Sequence, residues 1–400
     1  MIYSRLSKGM KKGEFLFAIA FILFMMTTLF ELTAFSIFTK EQDALIGFFL
    51  KIVRYGAYFL CLLKMLLKAS YGYKRFLVFS LCVIVTVLGY LGNLNQMLVL
   101  YTLIFMAADD MDSNLIIKIS LVTQLLILFI SVGSAVSGLI EDVVWEPEVR
   151  ARHFLGFDWV TTSAILALFA ELEFVYLKKG KLNMFSYLVM IVFNGWLYVM
   201  TNSRMAFSMS VVFLTFFYVT GKKNSGKAII NHFPRCFTLL PAGIALFAVL
   251  LHVNYQETWK FYWKLNQILS NRLILGRDAF QKYGLTLFGT SIKWVGNSVD
   301  GIDGVYNYVD CSYLQILLEY GIVILALVLV LYSLIIYSAY RQKKYYLCWI
   351  IVFILVFCVT EPRLIKLAFN PFLLLSVTER RKKLNQGRHW NGTETEIING

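Results

Sequence analysis

The sequence predicts an all-α polytopic membrane protein of about twelve transmembrane helices, and three observations predict it. Of its 400 residues 59% are hydrophobic and only 16% are charged, where a soluble domain is roughly a quarter charged. Apolar stretches long enough to cross a bilayer recur from end to end. The basic residues gather in alternate loops, as the positive-inside rule requires. The net charge of +14 is therefore a topology signal. It is spread over short loops rather than gathered in one patch, which argues against a nucleic-acid partner.

Taken in order, the apolar runs place spans near 15–38, 45–67, 75–92, 94–109, 114–140, 158–178, 183–201, 204–221, 237–254, 311–339, 345–361 and 364–378. The runs at 94–109 and 364–378 are short for a bilayer. The first run follows a basic start, but it is too long for a cleaved signal peptide and ends in Phe and Leu, so it reads as a retained span. With the N-terminus inside, inner segments hold twenty-three basic residues and the short outer loops hold five. That bias predicts N-in and C-in. Residues 1–378 then form a single transmembrane domain, 255–310 is a large outer loop, and 379–400 is a cytoplasmic tail.

Within the large loop, "NQILSNRLILGRDAFQKYG" has helical spacing of Leu, Ile and Phe with arginines between. It predicts an amphipathic helix at the outer interface. The stretch "GTSIKWVGNSVDGIDGVYNY" that follows reads as irregular loop. The six cysteines form no CxxC pair, and the four histidines show no metal-ligand spacing.

The outer face has few charges, so each is informative. Arg150 and Arg152 stand in "EVRARHFLGF", Arg204 in "TNSRMAF", and Arg272 and Arg277 in the large loop. Arginine forks onto phosphate bidentately and stays charged beside a membrane. Asp310 opens "VDCSYLQILLEYG", where the loop re-enters the membrane. Several arginines around such a carboxylate suit a pyrophosphate-bearing substrate, with Asp310 as base. Arg152, Arg204 and Asp310 are the catalytic candidates, and Arg150, Arg272 and Arg277 the substrate-binding ones.

Each has a plainer reading. Arg204 would snorkel to lipid headgroups. Arg150 and Arg152 would be solvated and pair with Glu146 or Glu148. Arg272 and Arg277 would form the polar stripe of an interfacial helix, and Asp310 would be a helix N-cap. Glu319, further along the same helix, reads as structural. Asp110-Met-Asp112 has the form of a DxD metal motif but reads as a solvated inner loop, and Asp300 and Asp303 read as a turn. Lys64 would snorkel inward, whereas Lys51 and Arg54 lie deeper in their span and would face a cavity.

In order, "RARHFLGF", "TNSRMA", "LNQILSNRLILGRDAFQKYGLTLFG" and "VDCSYLQILLEYG" resemble the outer segments of the Wzy-type polysaccharide polymerases, in the O-antigen polymerase and O-antigen ligase-like membrane protein family. The resemblance covers roughly residues 75–375. It departs where the family often has Pro-Asn after Gly-Phe, since Val160-Thr161 stand there. The related ligases carry a histidine near the re-entry point, where this chain has Asp310, which favours a polymerase.

The resemblance implies a GT-C-like fold in a bacterial plasma membrane, with glycosyl transfer on its outer face. It also implies an undecaprenyl-pyrophosphate-linked oligosaccharide as donor and acceptor, and no cofactor or metal. Membrane lipid and a chain-length regulator are the candidate partners. On that chemistry Trp145, Trp159 and Trp294 could stack on sugars. The alternatives are ligase-type transfer and a flippase for the same lipid-linked sugar. A flippase is disfavoured by unlike halves, few prolines and a single long outer loop.

Overall fold

The computed structural model describes residues 12–35, 44–67, 73–145, 151–223, 234–296 and 306–378. The chain is an all-α membrane protein. Its helices are α1 Lys12–Phe30, α2 Ala44–Leu66, α3 Tyr73–Asn93, α4 Met97–Ala108, α5 Ser113–Val136, α6 Thr162–Leu177, α7 Met184–Thr201, α8 Arg204–Lys223, α9 Pro234–Val253, α10 Lys260–Ile268, α11 Arg272–Tyr283, α12 Ser312–Glu319, α13 Gly321–Arg341 and α14 Tyr345–Phe357. A two-stranded ribbon, β1 Val144–Trp145 and β2 Arg152–His153, is antiparallel. Among the described residues seven helices are long and apolar enough to cross a membrane: α1, α3, α5, α7, α8, α9 and α13.

The other expected spans take different forms. The α2 helix has 23 residues but carries Lys51, Arg54 and Lys64. Arg54 pairs with Glu31, Lys51 is exposed, and Lys64, expected to snorkel to the inner surface, is instead buried and donates to the Ala107 carbonyl. The α4 and α14 helices are only 12 and 13 residues long, about 18–20 Å at 1.5 Å per residue. The α6 helix has 16 residues, nearly all of them buried, so it lies inside the bundle and needs no lipid-facing side.

The expected span at 364–378 is corrected. It holds turns and a 3-10 helix, Pro371–Leu374, and is almost wholly buried. Irregular backbone at membrane depth survives only where protein satisfies its polar groups, and here side chains do so, most of them from distant parts of the chain. Gln124 Nε2 donates to the carbonyls of Ala368 and Phe369 at 3.0 Å each. The Tyr332 hydroxyl and Asn370 Nδ2 both donate to the Leu364 carbonyl, at 2.8 and 2.9 Å. The Leu364 N–H donates to Ser312 Oγ, which in turn donates to the Glu361 carbonyl at 2.6 Å. Gln124 and Ser120 also donate to the buried Glu173, while Asn194 and Ser210 donate to the buried Glu171.

The large loop is more structured than its composition suggested. The single amphipathic helix expected there is two, α10 and α11. Ser270 and Asn271, both at positive φ (53° and 64°), turn the chain between them. Asn266 Oδ1 accepts the first N–H groups of α11, from Leu273 at 3.0 Å and Ile274 at 3.3 Å, meeting the need of an uncapped helix start. The interfacial composition falls on and just before α10, whose neighbourhood exposes Trp259, Phe261, Trp263 and Ile268. Residues 297–305 lie outside the described set, and with them Asp300 and Asp303.

Downstream, 286–290 wedges into a break between α12 and α13. The wedge carbonyls of Thr286 and Leu287 accept from Ile322 and Val323, and the Leu318 carbonyl accepts from Thr290. The break therefore leaves these helix-end groups satisfied. It needs glycine on both sides. Gly289 has φ +91° and Gly321 φ +86°, and a Cβ on Gly289 would stand 2.0 Å from the Glu319 carbonyl oxygen. Gly289→Ala is expected to cost about 2–3 kcal/mol, read as a lower unfolding temperature of the purified protein. An unchanged unfolding temperature would show that the wedge can move aside.

Candidate functional site

The site draws on five separated pieces of chain, four of which carry predicted residues. The α7–α8 reversal is built by Asn202, which ends α7 in the left-handed region at φ 53°. Its N–H donates to the Tyr198 carbonyl, and its own carbonyl accepts from the Arg204 N–H. Arg204 thus begins α8 and is exposed. The ribbon sets Arg152 opposite Trp145. Asp142 braces this ribbon: its Oδ1 accepts the Leu155 N–H at 2.8 Å, and its Oδ2 lies 2.7 Å from His153 Nδ1. Arg152 Nε donates to the Thr201 carbonyl at 3.0 Å, and its guanidinium lies 5.5 Å from the Trp145 ring centroid.

Arg272 begins α11, and Asp310 lies two residues before α12. The fifth piece is the turn Glu361-Pro362-Arg363 after α14. These pieces enclose a cavity of about 360 Å³ lined by Arg152, Arg204, Arg272 and Arg363, by Asp310 and Glu361, and by Trp145, Trp159, Tyr306 and Tyr308. Four guanidiniums face two carboxylates, so the cavity favours an anion.

The arginines differ in what they already hold. Arg272 is committed on all three nitrogens. Its Nε pairs with Asp310 Oδ2 at 3.2 Å, one terminal nitrogen donates to Glu361 Oε1 at 3.2 Å, and the other donates to the Thr360 carbonyl. Arg272 and Asp310 are each 16% exposed. Among the described residues Arg152 uses only Nε in hydrogen bonding. The Arg204 side chain has no acceptor among the described residues.

Burial raises the Asp310 carboxyl above its ordinary value, while Arg272 and Arg363 pull it the other way. Arg152 is lowered, by burial first and then by repulsion from Arg272 and Arg204. Arg272 is held protonated: burial opposes its charge, but Glu361 and Asp310 outweigh it. Burial, followed by the Asp310 charge, raises the Tyr306 hydroxyl.

Several expectations are corrected. Asp310 does not cap α12, since the N-cap position is Cys311 and no side chain caps that end. Arg277 is not in the cavity. It bonds Asp278 at 2.9 Å and lies over the Tyr255 ring. Arg277→Ala is accordingly expected to leave anion binding to the purified protein within about twofold of wild type, as titrated with inorganic pyrophosphate beside Arg204→Ala. Arg150, Glu146 and Glu148 lie outside the described residues. Trp294 is not at the cavity wall, because its Nε1 donates to Glu319 Oε2 at 2.8 Å. Glu319 also accepts from Asn95 at 2.7 Å and so braces the α12–α13 break.

Sequence reading missed Glu361, Arg363, Tyr306 and Tyr308 as site residues. A signal for the first two was present: "EPR" interrupts two apolar runs. Comparison of the chain with protein-family models, with curated proteins and with solved structures gives no match in any of the three.

Proposed function

We propose that the protein is a glycosyltransferase that polymerises polyprenyl-pyrophosphate-linked oligosaccharide repeat units on the outer face of a bacterial plasma membrane. One observation carries the reading. A largely buried carboxylate, Asp310, stands in an arginine-lined cavity with its Oδ1 free of any hydrogen-bond partner among the described residues. The loop-charge bias of the sequence supports an outward-facing cavity, and the order of the four outer segments supports the polymerase chemistry.

In the proposed reaction a hydroxyl of the acceptor repeat unit attacks the anomeric carbon of the donor glycan. The new glycosidic C–O bond forms as the bond from that carbon to the pyrophosphate oxygen breaks. Asp310 takes the hydroxyl proton. Arg152 and Arg204 receive the charge that develops on the departing polyprenyl pyrophosphate. Trp145 and Trp159 offer aromatic faces to the sugars. Arg272 keeps Asp310 oriented.

The test is reconstitution. Purified protein in liposomes, supplied with lipid-linked repeat units, is expected to produce a glycan ladder that Arg204→Ala weakens. Lipid-linked sugar crossing the bilayer with no ladder would replace this reading with the flippase. Transfer of a finished glycan to a different acceptor would replace it with the ligase.

A further inference from the structure

Arg363 differs from Arg272 in the one respect that matters for binding an anion. Both line the cavity. Arg272 has spent its nitrogens on Asp310, Glu361 and Thr360. Arg363 Nε is buried with no hydrogen-bond partner, and none of its side-chain nitrogens has one among the described residues. Its guanidinium lies 4.5 Å from the Phe369 ring centroid. A ring at that distance fixes the cation while leaving its in-plane N–H groups free.

We infer that Arg363 is the third anion ligand of the cavity, completing a cradle with Arg152 and Arg204, and that Arg272 is a positioning residue rather than a substrate ligand. The inference rests on the proposed reading for the identity of the anion, a pyrophosphate. A diphosphate has enough oxygens to engage three forks at once. Arg272 keeps one further N–H on each terminal nitrogen, but its charge already faces two carboxylates at 3.2 Å, so it attracts an added anion less than Arg363 does. Backbone supports this division of labour. The turn bearing Arg363 is clamped by Ser312 through the Glu361 carbonyl and the Leu364 N–H, so the guanidinium is held at the wall before any ligand arrives.

The experiment is calorimetric titration of inorganic pyrophosphate into the purified full-length protein in nanodiscs, beside the ladder assay. Wild type is expected to bind, and Arg363→Gln to weaken binding about 10-fold or more. Arg363→Lys is expected to recover part of the loss. Arg272→Lys is expected to keep the affinity within about 3-fold while lowering the unfolding temperature. The inference is overturned if wild type does not bind pyrophosphate, if Arg363→Gln binds as wild type does, or if folded Arg272→Lys loses as much as Arg363→Gln. The expected ranking without a ladder upholds the anion site and sinks the polymerase. A ladder with Arg363→Gln indistinguishable from wild type does the reverse.

Discussion

On the proposed polymerase reading, Asp310→Asn is expected to cut the rate of glycan-ladder formation by about 10²–10⁴, the usual contribution of a positioned base. The amide keeps the size of the carboxylate, so the cavity wall is retained and the loss reads the chemistry. The pH profile provides a second check. Burial raises the Asp310 carboxyl, while Arg272 and Arg363 restrain the rise. A base acts only when ionised, so activity should be lost as pH falls through the raised value. The acid limb should therefore lie above the ordinary aspartate value of about 3.9. Folded Asp310→Asn that polymerises at the wild-type rate would remove Asp310 from the mechanism. An acid limb at or below the ordinary value would contradict its burial.

The second large effect concerns stability. Arg272→Ala is expected to destabilise the protein by about 3–5 kcal/mol, as when one partner of a buried ion pair is removed. Three acceptors lose their donor together: Asp310, Glu361 and the Thr360 carbonyl. The two acids then face each other with less compensation, since Glu361 already feels the Asp310 charge. Arg272→Lys should lose less, because it keeps the positive charge, though not the planar fork that spans the three acceptors. The penalty in Arg272→Ala should shrink as pH falls, because protonation removes the uncompensated charges. Thermal unfolding at neutral and mildly acidic pH measures both effects. A wild-type unfolding temperature for Arg272→Ala at neutral pH would mean that the two acids do not depend on this guanidinium.

Spacing around a helix explains why Arg272 and Arg277 looked alike in sequence yet part company in the fold. They are five residues apart on α11, so at 100° per residue they point about 140° away from each other. An arginine stripe read by eye does not separate them; the face packed against α12 does. The span expected at 364–378 has a similar cause. Apolar composition reports burial, and it is the same for a lipid-facing helix and for irregular backbone buried in protein. What decides between them is whether Gln124, Tyr332, Asn370 and Ser312 reach the loose carbonyls and N–H groups. Apart from the Asn370 bond, which spans six residues, those contacts join residues far apart in the chain.

By itself the sequence determined that this is an all-α membrane protein, because long apolar stretches and loop charge follow from the solvent a segment meets. It also determined that Arg152, Arg204, Arg272 and Asp310 were candidates, because charges near spans are few and costly. Only the tertiary structure decided that these four share one cavity, that Arg277 does not, and that Glu361 and Arg363 do. Only it decided which guanidinium is spent on holding the carboxylates and which is left open. Charge is carried by the residue, but a free donor is defined by every neighbour within about 3 Å of it. Those neighbours, 88 and 89 residues away in the case of Arg272, are brought there by the fold.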